Sequence, residues 1–285
     1  MPSMFRRALL LATLLPLTAT SACAFQVSES SLIRPVAAGP LAADALAKVA
    51  PGLRVEPHTI TTADGTRLSA VLLRRPAAKI TILYFGGNQF TVGKLGVAAA
   101  RMLGSLDANL MLVDHRGYGQ SGGVPTAANL LTDGVAIFDH LAGLPGVDPS
   151  KIVVHGQSLG SFIAGHVAAT RPTAGVVLES TITTTEEWVR AQSGGIPVQI
   201  SPGLAGLGNK RNIGRIEEPL LLMVGASDTT TPPRLSEALY RLSPLPAGRK
   251  TLAVIEAAGH NGVLMQRAAQ EAYSAFLGRV AAGTP

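Results

Sequence analysis

One cysteine, Cys23, occurs among 285 residues, so no disulfide can form within the chain and stability must come from a buried core. Charge is also sparse. Asp, Glu, Lys and Arg make up 15% of the sequence, with 18 acidic residues against 24 basic ones. The formal charge is +6, and Arg6 and Arg7 near the start supply two of those positive charges. Aromatics are only 4%, and no run of Lys and Arg is interleaved with them, which argues against a nucleic-acid surface. The chain has no H-E-x-x-H, CxxC, phosphate-binding loop or dinucleotide fingerprint, so no metal or cofactor is implied. Internal repeats and low-complexity stretches are absent too. What the chain has in quantity is apolar residues, 47%, which suit a sizeable core and exclude global disorder.

The apolar run Ala8 to Leu17 (ALLLATLLPL) is shorter than the roughly 20 residues that a bilayer-spanning helix needs. It follows the basic Met1 to Arg7 and leads through small residues into Thr20-Ser21-Ala22-Cys23-Ala24, which fits an export signal over residues 1–23. Two cleavage readings stay open. Cleavage before Cys23 would resemble a bacterial lipoprotein, with the new terminal cysteine acylated, although Thr20 departs from the usual leucine. Cleavage after Ala22-Cys23-Ala24 would follow the A-x-A rule and release a soluble protein. Either places the chain outside the cytoplasm, in the bacterial periplasm or attached to a membrane through acylated Cys23.

Residues 24–52 lack strong periodicity and read as a tether with one short helix, Ala42 to Val49. The domain, residues 53–285, begins with HTITTADGTRLSAVLLRR, two strand-like runs joined by Ala63-Asp64-Gly65-Thr66, a hairpin signal. Strands then alternate with helices. KITILYF, NLMLVD, KIVVHG, AGVVLES, PLLLMVG and TLAVIEA are short and apolar on both faces, as buried parallel strands are. The pattern predicts an α/β fold with a mostly parallel central sheet, an antiparallel hairpin at its start and helices on both faces. Residues 181–218 interrupt the rhythm and hold the sole tryptophan, Trp188, as a short lid insertion would.

Gly156-Gln157-Ser158-Leu159-Gly160 matches G-x-S-x-G between a strand and a helix. The glycines allow strand and helix backbones to approach closely, and the turn sets Ser158 at a helix N-terminus, where a developing anion is favoured. Alone, the motif also fits a serine that merely caps the helix. A serine hydroxyl needs a base to remove its proton and a carboxylate to orient that base. Asp228 in GASDTTTPP and His260 in AAGHNG each follow a predicted strand, where catalytic groups gather in open α/β sheets. Singly they could be a turn aspartate and a loop histidine. Together with Ser158, in the order Ser, acid, His, they point to a catalytic triad.

On these residues the chain resembles the α/β-hydrolases, from about Val55 to Val280. The resemblance assigns Ser158 as nucleophile, Asp228 as acid and His260 as base. Asp114-His115-Arg116-Gly117-Tyr118-Gly119-Gln120-Ser121-Gly122 is similar to a turn that is mainly structural in that family, so Asp114 and Arg116 are expected to order loops. Glu179 is a candidate for a displaced acid. The family's oxyanion hole implies the backbone N–H of Leu159 and a second from Tyr84-Phe85-Gly86-Gly87-Asn88-Gln89, with Asn88 the best match and Gln89 the fallback. Gly86 stands where relatives often have histidine. His58, His140, His155 and His166 read as scaffold.

The function implied is a cofactor-free serine hydrolase acting on an ester or thioester of a small acyl substrate. An aminopeptidase or lipase of the same fold is the alternative. A non-catalytic envelope binding protein is the rival from another class. A serine nucleophile argues against the dehalogenase branch, which uses aspartate.

Overall fold

Short runs of Val, Ile and Leu separated by Gly, Asp and Thr turns dictate a sheet buried on both faces. The computed structural model, which describes residues 25–283 except Gly195, contains that sheet. Cys23 and the rest of the expected export signal lie outside the described residues. No helix among the described residues is long and apolar enough to cross a membrane.

In chain order the elements are β1 (Phe25–Val27), α1 (Glu29–Leu32), α2 (Ala43–Val49), β2 (Arg54–Thr61), β3 (Arg67–Arg74), β4 (Thr81–Phe85), α3 (Val92–Leu103), β5 (Asn109–Val113), α4 (Ala127–Ala142), β6 (Ile152–Gln157) and α5 (Leu159–Ala168). They continue with β7 (Gly175–Glu179), α6 (Thr185–Gln192), β8 (Val198–Ile200), β9 (Leu220–Gly225), α7 (Pro233–Leu242), β10 (Lys250–Ile255) and α8 (Arg267–Ala282). Eight strands form the main sheet in the order β10-β9-β7-β6-β4-β5-β3-β2. Only β3 runs opposite to the other seven strands. The expected hairpin is therefore β2–β3, closed at Thr62 to Thr66 by Thr62 N–H donating to the Thr66 carbonyl at 2.9 Å.

Side chains alternate across the sheet into two apolar layers. Leu83, Phe85, Ile152 and Val154 pack with α4 and α5, while Ile82, Tyr84 and Val153 pack with α3 and α8. Fully burying one such side chain stabilises by about 1.5–3 kcal/mol, so these layers supply what disulfides cannot.

The topology reverses at β4. The chain steps to β5 on one side, then crosses to β6 on the other. The crevice at the carboxyl ends of β4 and β6 is where such sheets hold ligands.

The residues expected to be a tether are a folded part of the molecule. β1 pairs in parallel with β8 of the insertion, Phe25 opposite Val198 and Val27 opposite Ile200. Further on, Gly119 N–H donates to the Val36 carbonyl at 2.8 Å. Only three residues pair on each strand, too few for a period to be visible in sequence, and their partners lie far along the chain.

Candidate active site

Strand β6 ends at Gln157 and α5 starts at Leu159, so one residue, Ser158, turns the chain. It does so at φ 51°, ψ −114°, a left-handed conformation unfavourable for a residue with a Cβ. The tightness requires both glycines. A Cβ on Gly156 would lie 2.2 Å from the Gly160 carbonyl oxygen, and one on Gly160 would lie 2.0 Å from that of Phe85. Ser158 N–H donates to the Glu179 carbonyl at 2.9 Å, which ties the turn to β7.

The Ser158 side chain does not cap α5. Its Oγ lies 3.0 Å from His260 Nε2. His260 Nδ1 lies 2.9 Å from Asp228 Oδ2 and 3.1 Å from Oδ1. Asp228 follows β9, and its buried carboxylate also accepts the Thr230 and Thr231 N–H groups at 2.9 and 2.8 Å and the Thr231 hydroxyl at 2.8 Å. Burial opposes ionisation of Asp228. The bonds from His260 and Thr231 outweigh it and hold the acid below the usual carboxylate range. An ionised carboxylate only accepts, so the His260 proton sits on Nδ1 and Nε2 is free to accept from the serine hydroxyl.

The turn after β5 braces the loop after β4. Gly86 has no side chain with which to brace the loop, and His115 Nε2–H donates to the Gly86 carbonyl at 2.8 Å. Burial lowers the His115 pKa, against the opposing pull of that bond and of Asp133. The buried Tyr118 hydroxyl donates to Asn88 Oδ1 at 2.8 Å. Asp114 caps α3 by accepting the Val92 N–H at 2.7 Å, and Arg116 joins Asp133 of α4 to Asp64 of the hairpin turn at 2.7 Å each. These are the loop-ordering contacts that Asp114 and Arg116 were expected to make.

Asn88 also has a task that its sequence position does not announce. Its Nδ2 donates to the Leu32 carbonyl at 2.7 Å, and its Oδ1 accepts the Arg34 N–H at 3.1 Å. The side chain thus clamps the N-terminal segment against the site. Leu159 opens α5, so its N–H has no acceptor within the helix. Leu159, Asn88 and Gln89 all line the cavity that holds Ser158. Gln89 stands at φ 67°.

That cavity is about 320 Å³. Its walls include Leu32 and Arg34 of the N-terminal segment, Phe162 of α5, Ile182 and Trp188 of the insertion, and Thr230 and Thr231 beside the acid. Trp188 Nε1–H donates to the Thr230 carbonyl at 2.7 Å, and Gln192 Nε2–H donates to those of Thr229 and Thr230 at 2.7 Å. The expected lid thereby contributes α6 as a wall fixed to the acid's own loop. His260 aside, Arg34 is the only ionisable side chain in this lining, and no carboxylate is among it.

Glu179 does not approach His260. Its Oε2 lies 3.1 Å from Nε2 of the buried His155, whose Nδ1 lies 3.3 Å from the Tyr273 hydroxyl. The carboxylate at His260 Nδ1 is that of Asp228. His58 and His140 pair with each other at 3.2 Å, away from the cavity. No group of three or more metal-ligating side chains occurs among the described residues.

The family model for serine aminopeptidase, S33, matches residues 76–210. An uncharacterized protein of Mycobacterium tuberculosis is 32% identical over 175 residues, which cover 61% of this chain and 59% of that one. Human alpha/beta hydrolase domain-containing protein 17B is 31% identical over 130 residues, 45% of each chain. Among solved structures, an esterase of Pyrococcus furiosus aligns with a TM-score of 0.69 at 19% identity, covering 87% of this chain and 98% of that one. The chain belongs to the α/β-hydrolase superfamily. As an α/β-hydrolase it spans 59% of the length of the first of these two curated relatives and 45% of the second. An esterase of Thermogutta terrifontis shares the fold too, with a TM-score of 0.57 at 20% identity, covering 79% of this chain and 99% of that one.

Proposed function

We propose that this α/β-hydrolase is a serine hydrolase that cleaves carboxylic esters or thioesters through an acyl-enzyme. The hydrogen-bond chain from Ser158 Oγ through His260 to Asp228, at 3.0 and 2.9 Å, carries the reading. His260 Nε2 takes the hydroxyl proton as Ser158 attacks the carbonyl carbon, and then delivers it to the leaving oxygen or sulfur. Ionised Asp228 balances the imidazolium through Nδ1–H and keeps the ring in the working tautomer. The backbone N–H groups of Leu159 and Asn88 are assigned to the oxyanion, with charge from the N-terminus of α5 behind Leu159. Water activated by His260 then releases the acid.

The family model's description raises aminopeptidase activity as a second reading. An aminoacyl substrate would bring an ammonium into a cavity whose lining holds an arginine and no carboxylate, so ester cleavage is the better supported.

A fluorophosphonate probe tests the proposal. Wild-type protein should be labelled and Ser158→Ala should not, and 4-nitrophenyl butyrate should be cleaved faster than any aminoacyl 4-nitroanilide. Equal labelling of the two proteins would remove Ser158 from its role, and no labelling of either would favour a binding protein. From the leader's sequence, we propose in addition that the chain is exported and acylated at Cys23. Metabolic labelling with a fatty acid in a bacterial host, lost in Cys23→Ser, is the expected result.

A further inference from the structure

We infer that Arg34 makes this site prefer esters that carry an anionic oxygen group, a carboxylate or a phosphate, near the scissile carbonyl. The inference deepens the serine-hydrolase reading and rests on it. Four observations support it.

First, the base of the side chain is fixed. Arg34 N–H is bound by Asn88 Oδ1, the carbonyl of Leu32 is held by Asn88 Nδ2, and Ile33 between them is buried at 4% exposure. Pro35 restricts the backbone on the other side, and the Val36 carbonyl is held by Gly119. A long side chain rooted on such a base loses less freedom on binding than one on a mobile loop.

Second, the guanidinium has no carboxylate partner among the described residues. Arg74, Arg116 and Arg171 each pair with an acid, whereas no ion pair involves Arg34. Its donor fork is therefore available to a ligand, and a guanidinium binds a carboxylate or phosphate through two parallel hydrogen bonds.

Third, Arg34 lines the cavity of Ser158, and the lining offers no acid that would compete for it. Asp228 is the nearest acid to the chemistry, and its oxygens are taken by His260, Thr230 and Thr231. An anionic substrate therefore meets a cation and no like charge, while a cationic substrate meets the reverse.

Fourth, the sign agrees with the whole chain, whose formal charge is +6, or about +4 without Arg6 and Arg7 of the expected leader. A positive field raises the local concentration of anionic substrates, in a way that salt screens.

Paired substrates test the inference. On the acyl side, mono-4-nitrophenyl adipate is compared with 4-nitrophenyl hexanoate, which has the same chain length without the terminal charge. On the leaving-group side, phenyl acetate is compared with 4-acetoxybenzoate and with 4-acetoxyphenyl phosphate. The readout is the ratio of kcat/KM for the charged ester over its neutral partner, in wild type, Arg34→Ala, Arg34→Lys and Arg34→Glu. Arg34→Ala should lower the ratio in at least one pair by roughly two- to fivefold, as for a charge-assisted contact made by an exposed side chain. Arg34→Lys should retain part of the preference, Arg34→Glu should reverse it, and added salt should shrink it more in wild type and Arg34→Lys than in Arg34→Ala. The pair that responds identifies the side on which the anion sits and whether it is a carboxylate or a phosphate. Ratios that are the same in wild type and Arg34→Ala for every pair overturn the inference while leaving ester hydrolysis intact. If Ser158-dependent cleavage of the neutral esters is itself missing, the underlying reading fails first.

Discussion

Ser158 stands in a strained conformation, and its neighbours leave it no easy way out. The hydroxyl that could have capped α5 bonds to His260 instead, so strain and a forgone cap are both spent on presenting one oxygen. The acid can be tested against its rival directly. Asp228→Asn should cut kcat by about 10³–10⁴ with little change in KM, because the amide favours the wrong histidine tautomer. Glu179→Gln should stay within a few-fold of wild type, since that side chain faces His155. A loss in Glu179→Gln matching that in Asp228→Asn would reverse the two assignments. Gly160→Ala is expected to fail differently. Its Cβ would enter the Phe85 carbonyl, so the melting temperature should drop along with activity, as the cost of overpacking a fixed backbone.

At the scale of elements, the turn after β5 braces a loop that has no bracing side chain at position 86. His115 and Tyr118 hold the loop after β4 from outside, through Gly86 and Asn88. Asn88 then passes that order on to residues 32–34. Asn88→Ala should release this segment. Hydrogen exchange followed by mass spectrometry is expected to quicken over residues 25–37 while β4 and β6 stay protected, and unchanged exchange there would mean that the β1–β8 pairing alone suffices. The main-sheet strands and the hairpin could be read from sequence because burial on both faces leaves an apolar signature, and the elbow could be read because only glycine fits on either side of Ser158. The clamp could not. Asn88 is one polar residue in a glycine-rich loop, and nothing local says that its amide reaches a segment 56 residues away. The Thr231 contribution to Asp228 sits closer to legibility, since an aspartate followed by threonines is a common side-chain-to-backbone turn. Which threonine hydroxyl would meet the carboxylate depends on the course of the loop after β9.

The whole molecule carries a proton-linked stability that follows from where its histidines lie. Burial is the largest cause in lowering the pKa of His58, His115, His140 and His166. An unfolded histidine takes up its proton near pH 6.5. Below that pH the unfolded chain binds more protons than the folded one, so stability present above about pH 6.5 is lost as the pH falls toward the folded-state values. Glu186 and Glu187 extend the loss into the carboxylate range. Burial opposes the Gly206 amide at Glu186, whereas Lys210 is the main cause at Glu187, and both end below their ordinary value. Asp114 runs the other way, raised by burial against the Gln120 and Val92 amides, but it is one group against four histidines. The charge acts in the same direction. A chain that is net positive with neutral histidines, at +6 with the leader and about +4 without its two arginines, moves further from zero as they protonate, and self-repulsion grows. The melting temperature should therefore fall steadily from pH 8 to pH 5.5, most steeply below pH 6.5. A curve that is flat or rising over that range would mean that these histidines are protonated in the folded protein. Because His115 braces the loop after β4 through Gly86, and Asn88 and Gln89 of that loop line the Ser158 cavity, its neutral ring links this loss of stability to the integrity of the proposed active site.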